Sequence, residues 1–354
     1  MSNSVTTIST LSSLKYYLSR KENLLEETFE FLPTGALLSR YGYDGMVSLI
    51  SDLMSMVNKV SITTHTVNKV PQRLVVTVRY RACARMLKAW QTGRHQQLTA
   101  TERQALQMAM SITQQVGQRK GEPLEKLYLL YSYVNSTVQY QRGDEKRDAA
   151  GFVRLTGADH VLLNRMGNCQ GYAEVMYLCG SMLGFRMGVQ CGYSKGKGHC
   201  WNVVEMGNHV YALDASVTFN TERKHVLSNC SHFLMGQREA TAAQLTCRPE
   251  QEVQRLSVTL APAHDYYRRL GRSFDSLRQG ARFAWKQFIA GEKETPLRLD
   301  GHGVTLQHFS SAMDLAGDDP DIQKEIFRRG KSVRYRIQGT ESNGALYVTV
   351  AWAS

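Results

Sequence analysis

Gly167-Asn168-Cys169-Gln170-Gly171-Tyr172-Ala173, then Gly198-His199-Cys200-Trp201-Asn202, then Tyr211-Ala212-Leu213-Asp214-Ala215-Ser216: these three stretches decide how the chain reads. The first opens a helical pattern in which Cys169, Ala173, Met176, Gly180 and Leu183 share one stripe. Asn168 has the side chain of an N-cap, which places Cys169 in the first turn, at the positive end of the helix dipole. A thiol in that position ionises below its reference pKa of about 8.5, and the thiolate is the nucleophilic form. The other cysteines, Cys83, Cys179, Cys191, Cys200, Cys230 and Cys247, read as small buried core residues.

The second and third stretches read as two strands joined through Glu205-Met206-Gly207-Asn208. A two-residue loop at Met206-Gly207 sets His199 directly opposite Asp214, with their Cβ atoms about 4.5–5.5 Å apart. A loop at Gly207-Asn208 makes the two diagonal neighbours on the same face. A three-residue loop turns them to opposite faces. The first two cases supply a carboxylate that orients an imidazole, with the imidazole free to face a thiol.

Together these residues resemble the transglutaminase-like superfamily. CQGYA at 169–173, GHCWN at 198–202 and YALDAS at 211–216 look like its three motifs, in its order. The similarity covers roughly residues 124–220, including the approach GADHVLLNRMGNC, which is similar to the bacterial members. The resemblance implies a papain-like α+β domain with Cys169 as nucleophile, His199 as general base and acid, and Asp214 as the orienting carboxylate. In members with transamidase activity an aromatic side chain upstream of the cysteine helps the oxyanion hole. Here Trp90, the only upstream Trp, lies far away in sequence. Gln170 and Tyr140 are the candidates for the second oxyanion donor, with Tyr172 and Trp201 as further substrate-facing candidates. Calcium serves some animal relatives, but no acidic loop with calcium-ligand spacing occurs here, so no metal or other cofactor is expected.

Outward from this block, the two ends repeat an order. Residues 11–20 and 43–57 read as helices, 27–32 as a strand, and 60–67 with 73–81 as a strand pair turning at 68–72. At the other end, residues 274–289 read as a helix, 296–300 as a strand, 306–327 as helical pieces broken near Gly317 and Pro320, and 332–338 with 345–352 as a strand pair. LVVTVRY at 74–80 echoes LYVTVAW at 346–352. The shared order favours a duplicated αβαββ module over chance similarity of short strands. Between them come helices at 101–116 and 123–140 and a charged surface loop at 141–148. The expected organisation is α+β in three parts: an N-terminal module over 1–97, a catalytic domain over 98–250 and a C-terminal module over 251–354. Both end modules read as too poor in apolar residues for large cores of their own.

Composition bounds the function. An apolar fraction of 42% rules out a wholly disordered chain, and no apolar run is long enough to span a membrane. Seven cysteines without a CxxC argue against a disulfide framework or zinc site and favour a reducing, cytoplasmic location. No secretory leader is visible, and a secreted or surface-anchored location stays open if the sequence is part of a longer chain. The net charge of +12 concentrates in residues 53–101, which hold Lys59, Lys69, Arg73, Arg79, Arg81, Arg85, Lys88 and Arg94 and no acid. That run reads as a solvated basic face, or as a surface for an anionic partner. No nucleic-acid motif accompanies it.

The function expected is thiol-dependent acyl transfer or amide hydrolysis on a peptide or protein, through a thioester on Cys169. The alternatives are transfer to a small amine, as in the arylamine acetyltransferases, or a binding scaffold that retains the fold without catalysis.

Overall fold

The computed structural model describes residues 5–67, 70–148, 151–217, 230–247, 256–257, 266–301, 303–328, 333–342 and 345–353. Lys69 and the turn centres expected at 68–69 and 343–344 lie outside them.

The chain opens with β1 (Thr6–Ile8), α1 (Leu11–Leu24), β2 (Thr28–Pro33), α2 (Gly35–Leu53), β3 (Val57–Val67) and β4 (Val70–Tyr80). α1 starts where Thr10 caps it, its side chain accepting from the Ser13 N–H at 3.1 Å. α2 kinks at Gly42, whose φ of 64° is open to glycine at no steric cost. The strands assemble in the order β1-β2-β4-β3, with β1 parallel to β2 and the other pairs antiparallel. Alternation on β4 buries Leu74, Val76, Val78 and Tyr80.

A helical layer follows: α3 (Ala82–Thr92), α4 (Ala100–Gly117) and α5 (Pro123–Thr137). Next come β5 (Gln139–Tyr140), β6 (Glu145–Asp148), β7 (Gly151–Arg154), α6 (Ala158–Asn164), β8 (Met166–Gly167) and α7 (Cys169–Met182). Of the expected loop over 141–148, the second half forms β6, paired antiparallel to β7 as a hairpin. The central sheet is built from β9 (Met187–Ser194), β10 (Lys197–Met206), β11 (His209–Leu213) and, after α8 (Gln237–Ala242), β12 (Leu245–Cys247). Its order is β11-β10-β9-β12, antiparallel throughout. α7 is buried over most of its length, as an all-round apolar helix at the centre of a domain should be.

Gly171 allows the close approach that seats α7. A Cβ there would come within 2.5 Å of both the Leu155 carbonyl oxygen and Val161 Cγ2. Backbone and a packed β-branched side chain cannot give way cheaply. Gly171→Ala is therefore expected to cost about 1–3 kcal/mol, read as a lowered denaturant midpoint with unchanged slope.

The C-terminal end comprises α9 (Tyr266–Arg269), β13 (Ser273–Phe274), α10 (Leu277–Ile289), β14 (Glu294–Asp300), α11 (Leu306–Gly317), α12 (Pro320–Arg328), β15 (Arg334–Ser342) and β16 (Ala345–Ala353). Its sheet order, β13-β14-β16-β15, repeats that of the N-terminal sheet, with the same parallel first pair. Leu74 of β4 pairs with Phe31 of β2, and Leu346 of β16 pairs with Leu299 of β14, so the two echoing sequences occupy equivalent central strands. Each end also carries a short first strand that the sequence did not reveal.

The two ends differ in how they are held. The N-terminal module shares one continuous apolar cluster with the central domain, from Leu14, Phe31 and Val76 through Met86 to Leu127, Tyr172 and Val204. The C-terminal module, contrary to expectation, has a core of its own around Trp285, Leu297, Phe309, Met313 and Val350. Trp285 is fixed there by its indole N–H, which donates to the Met313 carbonyl at 2.9 Å. The module meets the larger cluster through Tyr347, whose ring is 5.5 Å from that of Tyr267.

Candidate functional site

β8 delivers the chain directly into α7. Met166 and Gly167 pair in parallel with Gln139 and Tyr140, so Tyr140 is held beside the start of that helix. The Asn168 side chain accepts from the Gly171 N–H at 3.1 Å, as its N-cap role requires. Its amide donates to the Gly143 carbonyl at 2.9 Å, tying the 141–148 segment to the same point. Cys169 is thus the first residue of α7.

The hairpin between β10 and β11 turns at Gly207-Asn208, since Met206 pairs with His209. Gly207 has φ of 61°, which suits glycine at the first position of a two-residue hairpin loop. The register is therefore two residues away from the direct His199–Asp214 pairing, and the pair lies diagonally. A shift of two preserves the face. His199 Nε2 is 2.6 Å from Asp214 Oδ2. With Nε2 on the carboxylate, the other ring nitrogen serves Cys169, with which His199 also hydrogen-bonds.

Asp214 is buried to 2% exposure, and its surroundings keep it ionised. Burial pushes its pKa up, but hydrogen bonding and charge from His199 outweigh that and hold it below the usual range. Its Oδ1 accepts from the Ser216 N–H at 3.0 Å and from the Ser216 hydroxyl at 2.6 Å. α5 fixes the backbone here: the Tyr131 hydroxyl donates to the Asp214 carbonyl at 3.2 Å, and Asn135 Nδ2 to the Ala215 carbonyl at 2.8 Å.

The electrostatics of the other two groups follow. A hydrogen bond from the Cys200 thiol, then one from His199 together with its charge, pull the Cys169 thiol down to about 5 against the opposing effect of burial. For His199, burial works against the charged ring, yet hydrogen bonds to Asp214 and Cys169 raise its pKa to about 10. The lowered thiol and the raised imidazole together favour a thiolate–imidazolium pair at neutral pH.

A cleft of about 690 Å³ opens over these groups. Cys169, His199, Tyr140 and Gln170 line it. Gln170 Nε2 donates to Glu174 Oε1 at 2.8 Å. Tyr172 and Trp201 do not line it, which corrects their candidacy. Tyr172 is buried and its hydroxyl donates to the Val138 carbonyl. Trp201 is buried against Ala212 and Met235, with its ring stacked 6.2 Å from that of His199.

The sequence also missed a wall. Ser51, Asp52, Ser55 and Arg81 of the N-terminal module line the same cleft, opposite Arg142, Asp144 and Lys197. Of the basic run, Arg81 pairs with Glu174 at 2.9 Å, Arg73 with Glu30 at 2.9 Å, and Arg85 with Glu102. Three of the eight basic residues are therefore paired with carboxylates, Arg81 and Arg85 with buried ones and Arg73 at the surface. Cys83 and Cys179 are buried as expected, and Cys247 is half-buried. Cys200 is buried in the core as expected and Cys191 is half-buried, yet both border the cleft and Cys200 hydrogen-bonds Cys169. The side chain of Cys230 lies outside the described residues. Among the described residues no cluster of three metal-ligating side chains occurs.

Residues 110–215 match the family model of the transglutaminase-like superfamily, and that segment contains Cys169, His199 and Asp214. The mixed helix-and-sheet architecture around them is α+β and transglutaminase-like. Among solved structures, a protein described as a TGase is similar at 16% identity over 48% of this chain and 46% of that one, with a TM-score of 0.30. A candidate cysteine protease from Cytophaga hutchinsonii is similar at 12% identity over 49% of this chain and 69% of that one, with a TM-score of 0.26. LapG of Legionella pneumophila is similar at 12% identity over 43% of this chain and 77% of that one, with a TM-score of 0.23. The chain thus spans about half the length of the TGase it matches. No curated protein matches the sequence. No helix among the described residues is long and apolar enough to cross a membrane.

Proposed function

We propose that this chain carries out acyl transfer from amides of peptides or proteins, with Cys169 as nucleophile, His199 as general base and acid, and Asp214 as the orienting carboxylate. One observation carries this: a thiol at the first position of a helix shares a hydrogen-bonded line with an imidazole and a buried carboxylate 2.6 Å beyond it. A scaffold would not need to hold a buried Asp ionised behind a histidine, nor to leave the thiol lining an open cleft.

In the reaction, the Cys169 thiolate attacks the amide carbonyl carbon, and the carbonyl oxygen becomes an oxyanion. In this reading the Cys169 backbone N–H is the first donor to that oxygen, and the hydroxyl of Tyr140, a residue of the cleft lining, is the second. Collapse of the intermediate expels the amine, which takes its proton from the His199 imidazolium, and a thioester remains on Cys169. The now neutral imidazole takes a proton from water or from an incoming amine, which attacks the thioester. The second collapse releases the acyl product and restores the ion pair. Mixed charge along the cleft, with Arg81, Arg142 and Lys197 beside Asp52 and Asp144, suits a polar polypeptide.

Mass spectrometry of peptide and protein libraries incubated with and without a primary amine tests the assignment. The expected result is a set of cleaved, deamidated or amine-linked products that Cys169→Ala abolishes. Products that persist in Cys169→Ala, or none under either condition, would remove it.

A further inference from the structure

Behind the catalytic thiol stand two more sulfurs. Cys191 on β9 and Cys200 on β10 are direct partners across the antiparallel ladder. Their Sγ atoms are 2.8 Å apart. Cys200 in turn hydrogen-bonds Cys169, and all three residues line the cleft. The order is thus Cys169, Cys200, Cys191, with Cys200 touching both neighbours. Directly opposed residues on antiparallel strands have Cα atoms about 4.5–5.5 Å apart, inside the span of about 4.4–6.8 Å that a disulfide bridges. The strand pair can therefore close into a disulfide with little backbone movement.

We propose that the three cysteines form a thiol relay in which a hydroperoxide first oxidises Cys169 and the oxidation is passed on to a Cys191–Cys200 cross-strand disulfide. The relay rests on the assignment of Cys169 as the activated thiolate. In the first step the Cys169 thiolate attacks one peroxide oxygen. An S–O bond forms, the O–O bond breaks, and the departing alkoxide or hydroxide takes a proton from the His199 imidazolium, so that Cys169 is now a sulfenic acid. In the second step the Cys200 sulfur attacks the sulfenic sulfur. An S–S bond forms, the S–O bond breaks, and the hydroxide leaves as water with the Cys200 proton. In the third step Cys191 releases its proton, which restores the His199 imidazolium, and its thiolate attacks the Cys200 sulfur and expels Cys169 as thiolate. The sum is one peroxide reduced to water and an alcohol or a second water, and two thiols oxidised to one disulfide.

The local chemistry favours each transfer. Cys200 keeps its proton, its pKa raised first by the hydrogen bond to Cys169 and then by that to Cys191, so it can supply the proton the second step needs. In the reduced chain a hydrogen bond with Cys200 and then the charge of Arg81 lower the Cys191 thiol against the effect of burial; once Cys200 is bonded to Cys169, the charge of Arg81 remains to favour the attacking thiolate of the third step. Cys169 departs as a thiolate that the hydrogen bond and charge of His199 stabilise, and a better-stabilised thiolate leaves faster. The outcome spares the catalytic sulfur from over-oxidation to sulfinic acid, and a small-molecule thiol can reset the pair.

The test uses the full reduced chain. The iodoacetamide rate at Cys169 is measured first, so that failure of the thiolate assignment would be seen separately as a slow rate before any oxidant is added. One equivalent of hydrogen peroxide follows, then alkylation and non-reducing peptide mapping. The expected product carries a Cys191–Cys200 disulfide with Cys169 still open to alkylation. Cys191→Ser should stop at a Cys169–Cys200 disulfide and lose Cys169 labelling. Cys200→Ser should accumulate a dimedone-reactive sulfenic acid on Cys169. In Cys169→Ser, formation of the strand disulfide should slow by at least about tenfold, because the activated thiolate that takes up the peroxide is gone. The relay is overturned by sulfinic acid on Cys169 with Cys191 and Cys200 both free. It is equally overturned by a wild-type product that stops at Cys169–Cys200, or by strand-disulfide formation that is as fast in Cys169→Ser.

Discussion

Asp214→Asn is expected to lower turnover of a Cys169-dependent substrate by about 10⁴-fold while leaving the fold intact. In the native chain Oδ2 accepts from His199 Nε2 at 2.6 Å, and Oδ1 accepts two bonds from Ser216. An asparagine amide can keep one set of acceptor bonds only by turning its NH₂ toward the other. With both Ser216 bonds to satisfy, the oxygen stays at Oδ1 and the NH₂ faces His199. The imidazole then has no acceptor on that side and loses the charge that raises its pKa. The proton redistributes toward the Cys169 sulfur, so both the nucleophile and the acid for the leaving amine are weakened. Circular dichroism and the thermal midpoint should change little, because the substitution removes no side-chain volume. A fall of less than tenfold in kcat/KM would mean that the carboxylate is structural.

The second large effect concerns stability. Glu174 is 1% exposed inside α7 and receives Arg81 Nη1 at 2.9 Å, Gln170 Nε2 at 2.8 Å and the Ala158 N–H at 3.1 Å. Arg81 comes from the end of β4, so this one carboxylate joins the N-terminal module to the catalytic helix. Glu174→Ala leaves a guanidinium that is only 13% exposed without its counter-charge, and three donors without an acceptor. Breaking one partner of such a buried pair typically costs about 3–5 kcal/mol. The denaturant midpoint should fall accordingly. Glu174→Gln, which retains the acceptor oxygen and loses only charge, should fall less. Equal stability of Glu174→Ala and the native chain would show that the two modules are held by apolar packing alone.

The sequence made the three side chains of the candidate site legible because each sits at the boundary of a short, strongly patterned element. Asn168 marks the helix start, and Gly207 marks the hairpin. Three turns fit the sequence; the observed one, Gly207-Asn208, sets His199 and Asp214 diagonally on one face, where a three-residue loop would have separated them. Helix α3 escaped notice although Cys83, Met86, Leu87 and Trp90 follow helical spacing, because its basic residues drew the stretch into a charge patch. Tyr172 and Trp201 stood inside the motifs and read as substrate-facing, yet they turn inward to fill the core. The wall at Ser51 to Arg81 had no local signature, because it depends on how two modules dock. The pairing of Cys191 with Cys200 was hidden for a similar reason: it follows from the register of β9 against β10 rather than from either neighbourhood.

The charge state of Cys169 in the resting protein tests the account most directly. The rate of iodoacetamide alkylation, resolved for each cysteine by peptide mass spectrometry, should rise for Cys169 with a midpoint near pH 5 and stay on a plateau through neutral pH. Cys83 and Cys179, whose thiols are pushed up by burial, should react slowly throughout. A Cys169 midpoint at about 8.5, where an ordinary thiol titrates, would contradict the thiolate–imidazolium pair and with it the catalytic assignment.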